Sequence, residues 1–164
     1  FSAFFIDGYG AAGNILGGKL LGAKDYNNLW KLAKKVLLYG ILVSLVLVIL
    51  GFIFYYPIGR LFSNEQIVLD TFYSVFYILI LGLPMNALAF VYDGLFKGLG
   101  EMKYLRNTLL AATFLGFIPT LFLGDYLNWG FYGIWIAFTV WMLIRGGALV
   151  FKFRRKFHPL LQKT

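Results

Sequence analysis

The chain of 164 residues is 60% hydrophobic, 20% aromatic and only 13% charged, with a formal net charge of +8. An average soluble domain carries about 25% charged residues, so this composition excludes an ordinary soluble protein. The positive charge gathers at the ends of apolar runs, where membrane topology explains it without a nucleic-acid partner.

Four long runs without a charged residue define the class of the protein. They contain 24, 22, 18 and 19 residues and lie at 36–59, 71–92, 107–124 and 126–144. A helix needs about 20 apolar residues to cross the hydrocarbon core of a bilayer. Together with the apolar opening segment, these runs predict an all-α membrane protein with five transmembrane helices.

The predicted helices follow one another with short connections. In chain order we expect them at about residues 1–21, 32–58, 66–99, 104–123 and 131–155. The amphipathic stretch "YNNLWKLAKK" is predicted to connect the first two helices, and residues 158–164 are predicted to form a cytoplasmic tail. Because the chain begins with Phe1 inside an apolar segment, we expect it to be a piece of a longer protein.

The distribution of lysine and arginine predicts the orientation, because loops rich in these residues stay in the cytoplasm. The connection after the first helix, the connection after the third helix and the C-terminal tail are basic. The two intervening loops hold only Arg60. We therefore expect a multi-pass protein with a cytoplasmic C-terminus and with Phe1 on the outer side.

Four polar residues inside the predicted helices are the candidate substrate or ion ligands. Asp7 and Asn14 are seven residues apart in the first helix, and Asn86 and Asp93 repeat that spacing in the third. Residues seven apart lie on one face of a helix, two turns apart. A carboxylate inside a membrane is costly and marks a functional site by default. We expect Asp7 in the outer part of the membrane and Asp93 near the cytoplasmic boundary, where either could instead reach an interface.

Other residues within the predicted helices are assigned to packing and to helix shape. Glycines at the small-xxx-small spacing that lets helices pack closely are Gly13, Gly17, Gly18, Gly22, Gly94 and Gly98. Pro84 and Pro119 each remove a helix hydrogen bond, so we predict kinks there. Arg145 is expected to extend its charged end to the nearby cytoplasmic interface.

Sequence patterns typical of an enzyme or a metal site are missing from the chain. It has no His-Glu-x-x-His or P-loop motif, and no set of Ser, His and Asp suggests nucleophilic catalysis. It has no cysteine, which excludes disulfides and thiolate metal sites. We therefore predict a protein that is not an enzyme and that needs no cofactor or bound metal.

Several short motifs, in their order along the chain, resemble the multidrug and toxic compound extrusion family. They are the "DG" of Asp7 and Gly8, "LGAKD" ending at Asp25, and "YDGLFKGLGEMKYLRN" from Tyr92 to Asn107. The resemblance covers nearly the whole chain and is to the branch of the DNA-damage-inducible protein F type. It implies that the five helices are helices eight to twelve of a twelve-helix transporter with two lobes.

The same resemblance implies that residues 1–157 form most of a C-terminal lobe. The partners of this lobe would be the missing N-terminal lobe, the lipid bilayer and small organic substrates. The whole protein would be an antiporter of the bacterial plasma (inner) membrane. It would exchange protons or sodium ions for amphipathic, often cationic compounds by alternating access. Relatives are expected to carry Glu where this chain has Asn14, an amide that cannot take up a proton near neutral pH. Coupling then depends on Asp7 and Asp93, or on carboxylates of the absent lobe.

Two other functions are consistent with the sequence. A flippase for lipid-linked saccharides, from the same wider superfamily, would line its cavity with many basic residues, whereas Asp and Asn predominate inside the helices here. A non-transporting membrane scaffold would tolerate neutral residues in place of Asp7 and Asp93. The polar residues therefore favour export of cationic or neutral compounds.

Overall fold

The computed structural model describes residues 2–162, which fold into helices with no strand among them. The elements are α1 (Ser2–Gly22), α2 (Tyr26–Ile53), α3 (Tyr55–Phe62), α4 (Gln66–Gly98), α5 (Met102–Ala112), a π-helical segment (Thr113–Phe117), α6 (Ile118–Tyr126), α7 (Phe131–Phe157) and a 3₁₀ segment (His158–Gln162). The predicted all-α membrane fold is confirmed.

Four of the helical segments are long and apolar enough to cross a membrane. They are Tyr26–Ile53, Gln66–Gly98, Met102–Tyr126 and Phe131–Leu160. The first helix, α1, has the predicted length but is not among them, because Asp7, Asn14 and its glycines lower its hydropathy. It nevertheless belongs to the bundle, since it packs against α2 and α4.

The second helix begins earlier than predicted, at Tyr26, so the expected connector is helical. The Asp25 carboxylate caps this helix by accepting hydrogen bonds from the backbone N–H of Asn28 (3.0 Å) and from its side-chain amide (2.7 Å). These two bonds hold the pKa of the Asp25 carboxyl below its ordinary value, and the bond from the backbone N–H has the larger effect. Lys24 closes the preceding turn with a positive φ of 57°.

Two prolines coincide with interruptions in the predicted second and fourth helices. The second ends at Ile53 rather than near residue 58, and the separate helix α3 carries Pro57 in its first turn, where a missing N–H is tolerated. In the fourth, the π-helical segment lies just before Pro119. In a regular α-helix the ring of Pro119 would clash with the carbonyl of the residue four positions earlier. The wider turn of a π segment relieves that clash.

The buried core lies at the end of the bundle where the basic residues gather. Its cluster consists of side chains from the first half of α2, the last third of α4 and the last third of α7. Phe96, Leu95 and Leu149 are fully buried there, and Phe153 packs edge-on against Phe96 and Tyr92. This end of the molecule therefore holds α1, α2, α4 and α7 together.

The tail predicted to leave the membrane stays attached to the core over the residues that are described. Phe157 is buried, residues 158–162 form the 3₁₀ segment, and Leu160 packs against the core cluster. Residues 163 and 164 lie outside the described part of the chain.

Candidate functional site

Helices α1 and α4 run in the same direction and touch backbone to backbone. A methyl group at Gly94 would overlap the carbonyl oxygen of Gly10, and one at Gly98 would overlap the carbonyl oxygen of Asn14. At Gly10 a methyl group would lie 3.1 Å from the carbonyl oxygen of Phe90. Only glycine lets the two backbones approach this closely.

The structure places the predicted packing glycines as follows. Gly94 and Gly98 form the close contact just described, and a methyl group at Gly18 would lie 3.0 Å from the carbonyl oxygen of Gly98. Gly13 and Gly17 both face the side chain of Leu95, and the backbone nitrogen of Leu95 also lies within 4 Å of a methyl group added at Gly13. Gly22 has open space beside it within the described residues. Gly10 is not among the predicted packing glycines, because the residue four positions later is Asn14 and the small-xxx-small pattern requires a small residue there.

A cleft of about 260 Å³ opens alongside this helix crossing. Asp7, Asn14 and Asp93 line it, together with Phe90 and Lys97. Three of the four predicted ligand residues therefore meet in one place. The sequence predicts Asp7 toward the outer side and Asp93 near the cytoplasmic boundary, and therefore at separate locations. The crossing brings them together because Gly10, one turn after Asp7, sits against Phe90 and Gly94.

The Asp93 carboxylate is buried and forms ion pairs with two cations. Its Oδ2 lies 2.8 Å from the Arg145 guanidinium on α7 and 3.5 Å from the Lys97 ammonium one turn further along α4. Asp93 is 8% exposed, and only 11% of the Arg145 side chain is exposed. The guanidinium also lies 5.3 Å from the centre of the Trp141 ring and 6.0 Å from that of Phe90. Aromatic faces attract such a cation and help to hold it in place.

The expectation that Arg145 extends to the interface is therefore wrong. Its charge turns inward because a buried carboxylate and two aromatic rings offer it better partners than headgroups do. The sequence signal was present, since Arg145 lies near the middle of α7 rather than in its last turn. Its pairing with Asp93 could not be foreseen without knowing that α4 and α7 are neighbours.

Asp7 and Asn14 differ from Asp93 in that both are exposed. Neither has an ion pair or a side-chain hydrogen bond to another residue of the described 2–162. An acceptor of this kind can bind a cation or a hydrogen-bond donor that enters the cleft. Asp7 is thus the carboxylate of the cleft that has no ion pair, and Asn14 lines the same cleft.

The fourth predicted ligand, Asn86, lies in a different cavity. That cavity is lined by residues of α4 and α7, among them Trp135, Thr139 and Met142, and its volume of about 20 Å³ suits roughly one water molecule. The indole N–H of Trp135 is buried with no hydrogen-bond partner among the described residues. Asn86 shares a face of α4 with Asp93, but the two line separate cavities.

The two prolines predicted to kink helices have different surroundings. Pro84 lies inside α4, which continues as one helix from Gln66 to Gly98. Pro119 follows the π-helical segment at Thr113–Phe117. A kink at either residue remains a prediction.

Comparisons with known proteins identify the family of the chain. Residues 1–122 match the MatE family. The chain is 32% identical over 155 residues to protein DETOXIFICATION 42 of Arabidopsis thaliana, and this match covers 90% of this chain and 28% of that protein. It is 29% identical over 160 residues to the probable multidrug resistance protein YoeA of Bacillus subtilis (strain 168), covering 95% of this chain and 35% of YoeA.

The fold is also similar to a solved structure, the eukaryotic MATE transporter AtDTX14. The TM-score is 0.85 at 24% sequence identity, and the match covers 96% of this chain and 36% of that one. The chain thus spans about a third of the length of the proteins that it matches.

Proposed function

The chain belongs to the MatE family, and from this premise we propose that it forms most of the C-terminal lobe of an exporter of amphipathic, cationic compounds. Export proceeds by alternating access and is coupled to protons or sodium ions. The observation that carries the proposal is the cleft between α1 and α4, where the exposed Asp7 carboxylate makes no ion pair with a described residue.

Charge decides which solute the cleft attracts. Arg145 and Lys97 both pair with Asp93, whereas Asp7 lines the same cleft without an ion pair to a described residue. Two unit charges about 4 Å apart interact by about 1 kcal/mol in water and about 4 kcal/mol near a protein surface. Asp7 therefore favours a cationic substrate or a coupling ion, and the Asn14 amide oxygen can add one more ligand.

The remaining parts of the proposal follow from the family. Residues 1–157 would pack against an N-terminal lobe, and the whole protein would lie in the plasma (inner) membrane of a bacterium with its C-terminus in the cytoplasm. No enzymatic step and no cofactor are needed. The assignment to the DNA-damage-inducible protein F branch is part of the same proposal.

A flippase for lipid-linked saccharides is the second candidate. The observation that favours it is Lys97, whose side chain is about half exposed and lines the cleft. A lysine there could meet a phosphate group. A scaffold without transport is the third candidate, and it gives the cleft residues no task.

The deciding experiment is transport by the full-length protein in sealed vesicles, with a fluorescent lipophilic cation as substrate. Asp7→Asn should slow export by about fivefold or more, the equivalent of about 1 kcal/mol of lost attraction. The matched control is Asp70→Asn, which neutralises an exposed carboxylate near the start of α4, far from the cleft. Both variants should insert into the membrane in normal amounts.

The outcomes separate the three candidates. Unchanged export by Asp7→Asn would remove this residue from the mechanism. Transport of a saccharide diphospholipid, with no transport of the cation, would favour the flippase, and loss of that activity in Lys97→Gln would support it. Absence of any transport by the wild-type protein under both ion gradients would leave the scaffold.

A further inference from the structure

A further concave surface lies where α2 begins and α7 ends. This groove has a volume of about 700 Å³. Trp30 and Lys34 line it from α2, Phe151, Arg154 and Arg155 line it from α7, and His158 lies at its edge. The transport proposal makes no use of these residues.

Three positive charges in the groove have no carboxylate partner. Lys34, Arg154 and Arg155 are exposed, and the ion pairs found in the described part of the chain involve other cations, namely Lys97, Arg145 and Lys156. Three like charges around one concave surface repel one another unless an anion joins them. The groove therefore has the electrostatic character of an anion site.

An aromatic wall fixes the shape of the groove. The Trp30 ring stacks on Phe153 of α7 with 5.5 Å between ring centres, and His158 meets it edge-on at 5.7 Å. The Lys34 ammonium lies 5.5 Å from the centre of the same ring. Trp30 thus ties α2, α7 and the 3₁₀ segment together and holds one cation over its face. Tryptophan is enriched at the level of lipid headgroups.

Apolar side chains continue from the groove along both helices. Leu38, one turn beyond Lys34 on α2, is 56% exposed, and Phe151, one turn before Arg155 on α7, is 66% exposed. Both helices belong to segments long and apolar enough to cross a membrane. A molecule with an anionic head and apolar chains could contact both the basic groove and the apolar side chains next to it, whereas free phosphate would contact only the groove.

We propose that this groove binds the headgroup of an anionic phospholipid, with the phosphate held by Lys34, Arg154 and Arg155 and the acyl chains lying along Leu38 and Phe151. Basic pockets between membrane helices are suited to such headgroups. The inference depends on the insertion of α2 and α7 in a membrane. It does not depend on the transport activity proposed above.

The test is titration of the detergent-solubilised full-length protein with phosphatidylglycerol, followed by native mass spectrometry. The groove variant combines Lys34→Gln, Arg154→Gln and Arg155→Gln. The control variant combines Lys35→Gln, Lys103→Gln and Arg106→Gln, which removes three exposed charges elsewhere at the same end of the bundle. Because the groove variant lacks all three charges that would hold the phosphate, it should bind phosphatidylglycerol at least about tenfold more weakly, and the control variant should bind it within about twofold of the wild-type protein.

Three results would overturn the proposal. They are an equal loss in the two variants, equal affinity of the wild-type protein for phosphatidylcholine, and displacement of the lipid by millimolar glycerol phosphate. If the groove variant does not fold, the wild-type protein still decides the question. Brominated phosphatidylglycerol should quench its fluorescence more than brominated phosphatidylcholine does, and Trp30→Phe should remove that difference. No difference in the wild-type protein would contradict the site.

Discussion

At the scale of single residues, the ion pair of Asp93 and Arg145 decides which carboxylate of the cleft is free. Moving either charge alone into the interior of a helical bundle is costly, and mutual attraction offsets that cost only when the geometry is good. A separation of 2.8 Å between the guanidinium and the carboxylate, with aromatic rings around the cation, meets this condition. Asp7 has no such partner in the described chain and stays available.

Removal of Arg145 should therefore destabilise the protein more than removal of the pair. Arg145→Gln in the full-length protein leaves the buried Asp93 with only the more distant Lys97, and we expect a loss of about 3–5 kcal/mol in the free energy of unfolding. The double variant Arg145→Gln with Asp93→Asn should recover most of that loss. Unfolding in mixed micelles, followed by circular dichroism, measures both.

The control for this prediction is Arg106→Gln, an exposed arginine on α5 whose side chain donates hydrogen bonds to the side-chain oxygen of Asn107. It should change the free energy of unfolding by less than about 0.5 kcal/mol. A double variant that is less stable than Arg145→Gln would mean that the arginine acts through packing and not through its charge.

The candidate site was predictable from the sequence only as far as single residues go. Asp7, Asn14 and Asp93 stand out because polar side chains are rare in apolar helices, and the structure brings these three together. The same logic selected Asn86, which lies in another cavity. The pairing of Asp93 with Arg145 depends on which helices are neighbours, and hydropathy contains no such information.

At the scale of helices, the contact between α1 and α4 gives the cleft its shape. The glycines on the two helices remove the side chains that would keep the backbones apart. The cleft residues are thereby held at the edge of a tight crossing, and a wider separation would move Asp7 away from Asp93. The geometry of the site thus depends on residues that bind nothing.

A methyl group at Gly94 should disturb this crossing. Gly94→Ala places a Cβ on the carbonyl oxygen of Gly10, and the overlap should cost about 1–3 kcal/mol in the free energy of unfolding. Gly147→Ala on α7 is the control, because no described atom lies within 4 Å of its added methyl group. It should be neutral or stabilising by up to about 1 kcal/mol, as alanine favours a helix over glycine. Equal effects of the two substitutions in the unfolding assay would contradict the close contact.

The existence of the helices was predictable from the sequence, but several of their ends were not. Long charge-free runs determine which segments can span a bilayer, and every predicted helix is present. The start of α2 depends on the hydrogen bonds that Asn28 donates to the Asp25 carboxylate. In the sequence, these polar residues are equally consistent with a loop. The π-helical segment before Pro119 is a local response of the backbone that hydrophobic periodicity does not encode.

At the scale of the whole molecule, the two ends of the bundle differ. The buried core lies at the basic end, whereas the turn between α3 and α4 leaves Leu61, Phe62 and Ile67 almost fully exposed. In the two-lobed transporter proposed above, these apolar surfaces would contact lipid or the N-terminal lobe. The basic end, in contrast, is organised by contacts within the chain itself.

The orientation of this asymmetric molecule in the membrane is the last prediction. Loop charges predict that the basic end lies in the cytoplasm and the turn between α3 and α4 on the outer side. This chain has no cysteine, so single cysteines report position without interference from it. In intact cells that produce the full-length protein, without other cysteines, a membrane-impermeant maleimide should label Asn64→Cys and should label Met102→Cys only after permeabilisation. Both residues are exposed, so equal labelling of permeabilised cells is the internal control. The reverse pattern would place the groove of Lys34, Arg154 and Arg155 in the outer leaflet and would show that contacts with the rest of the protein override the loop charges.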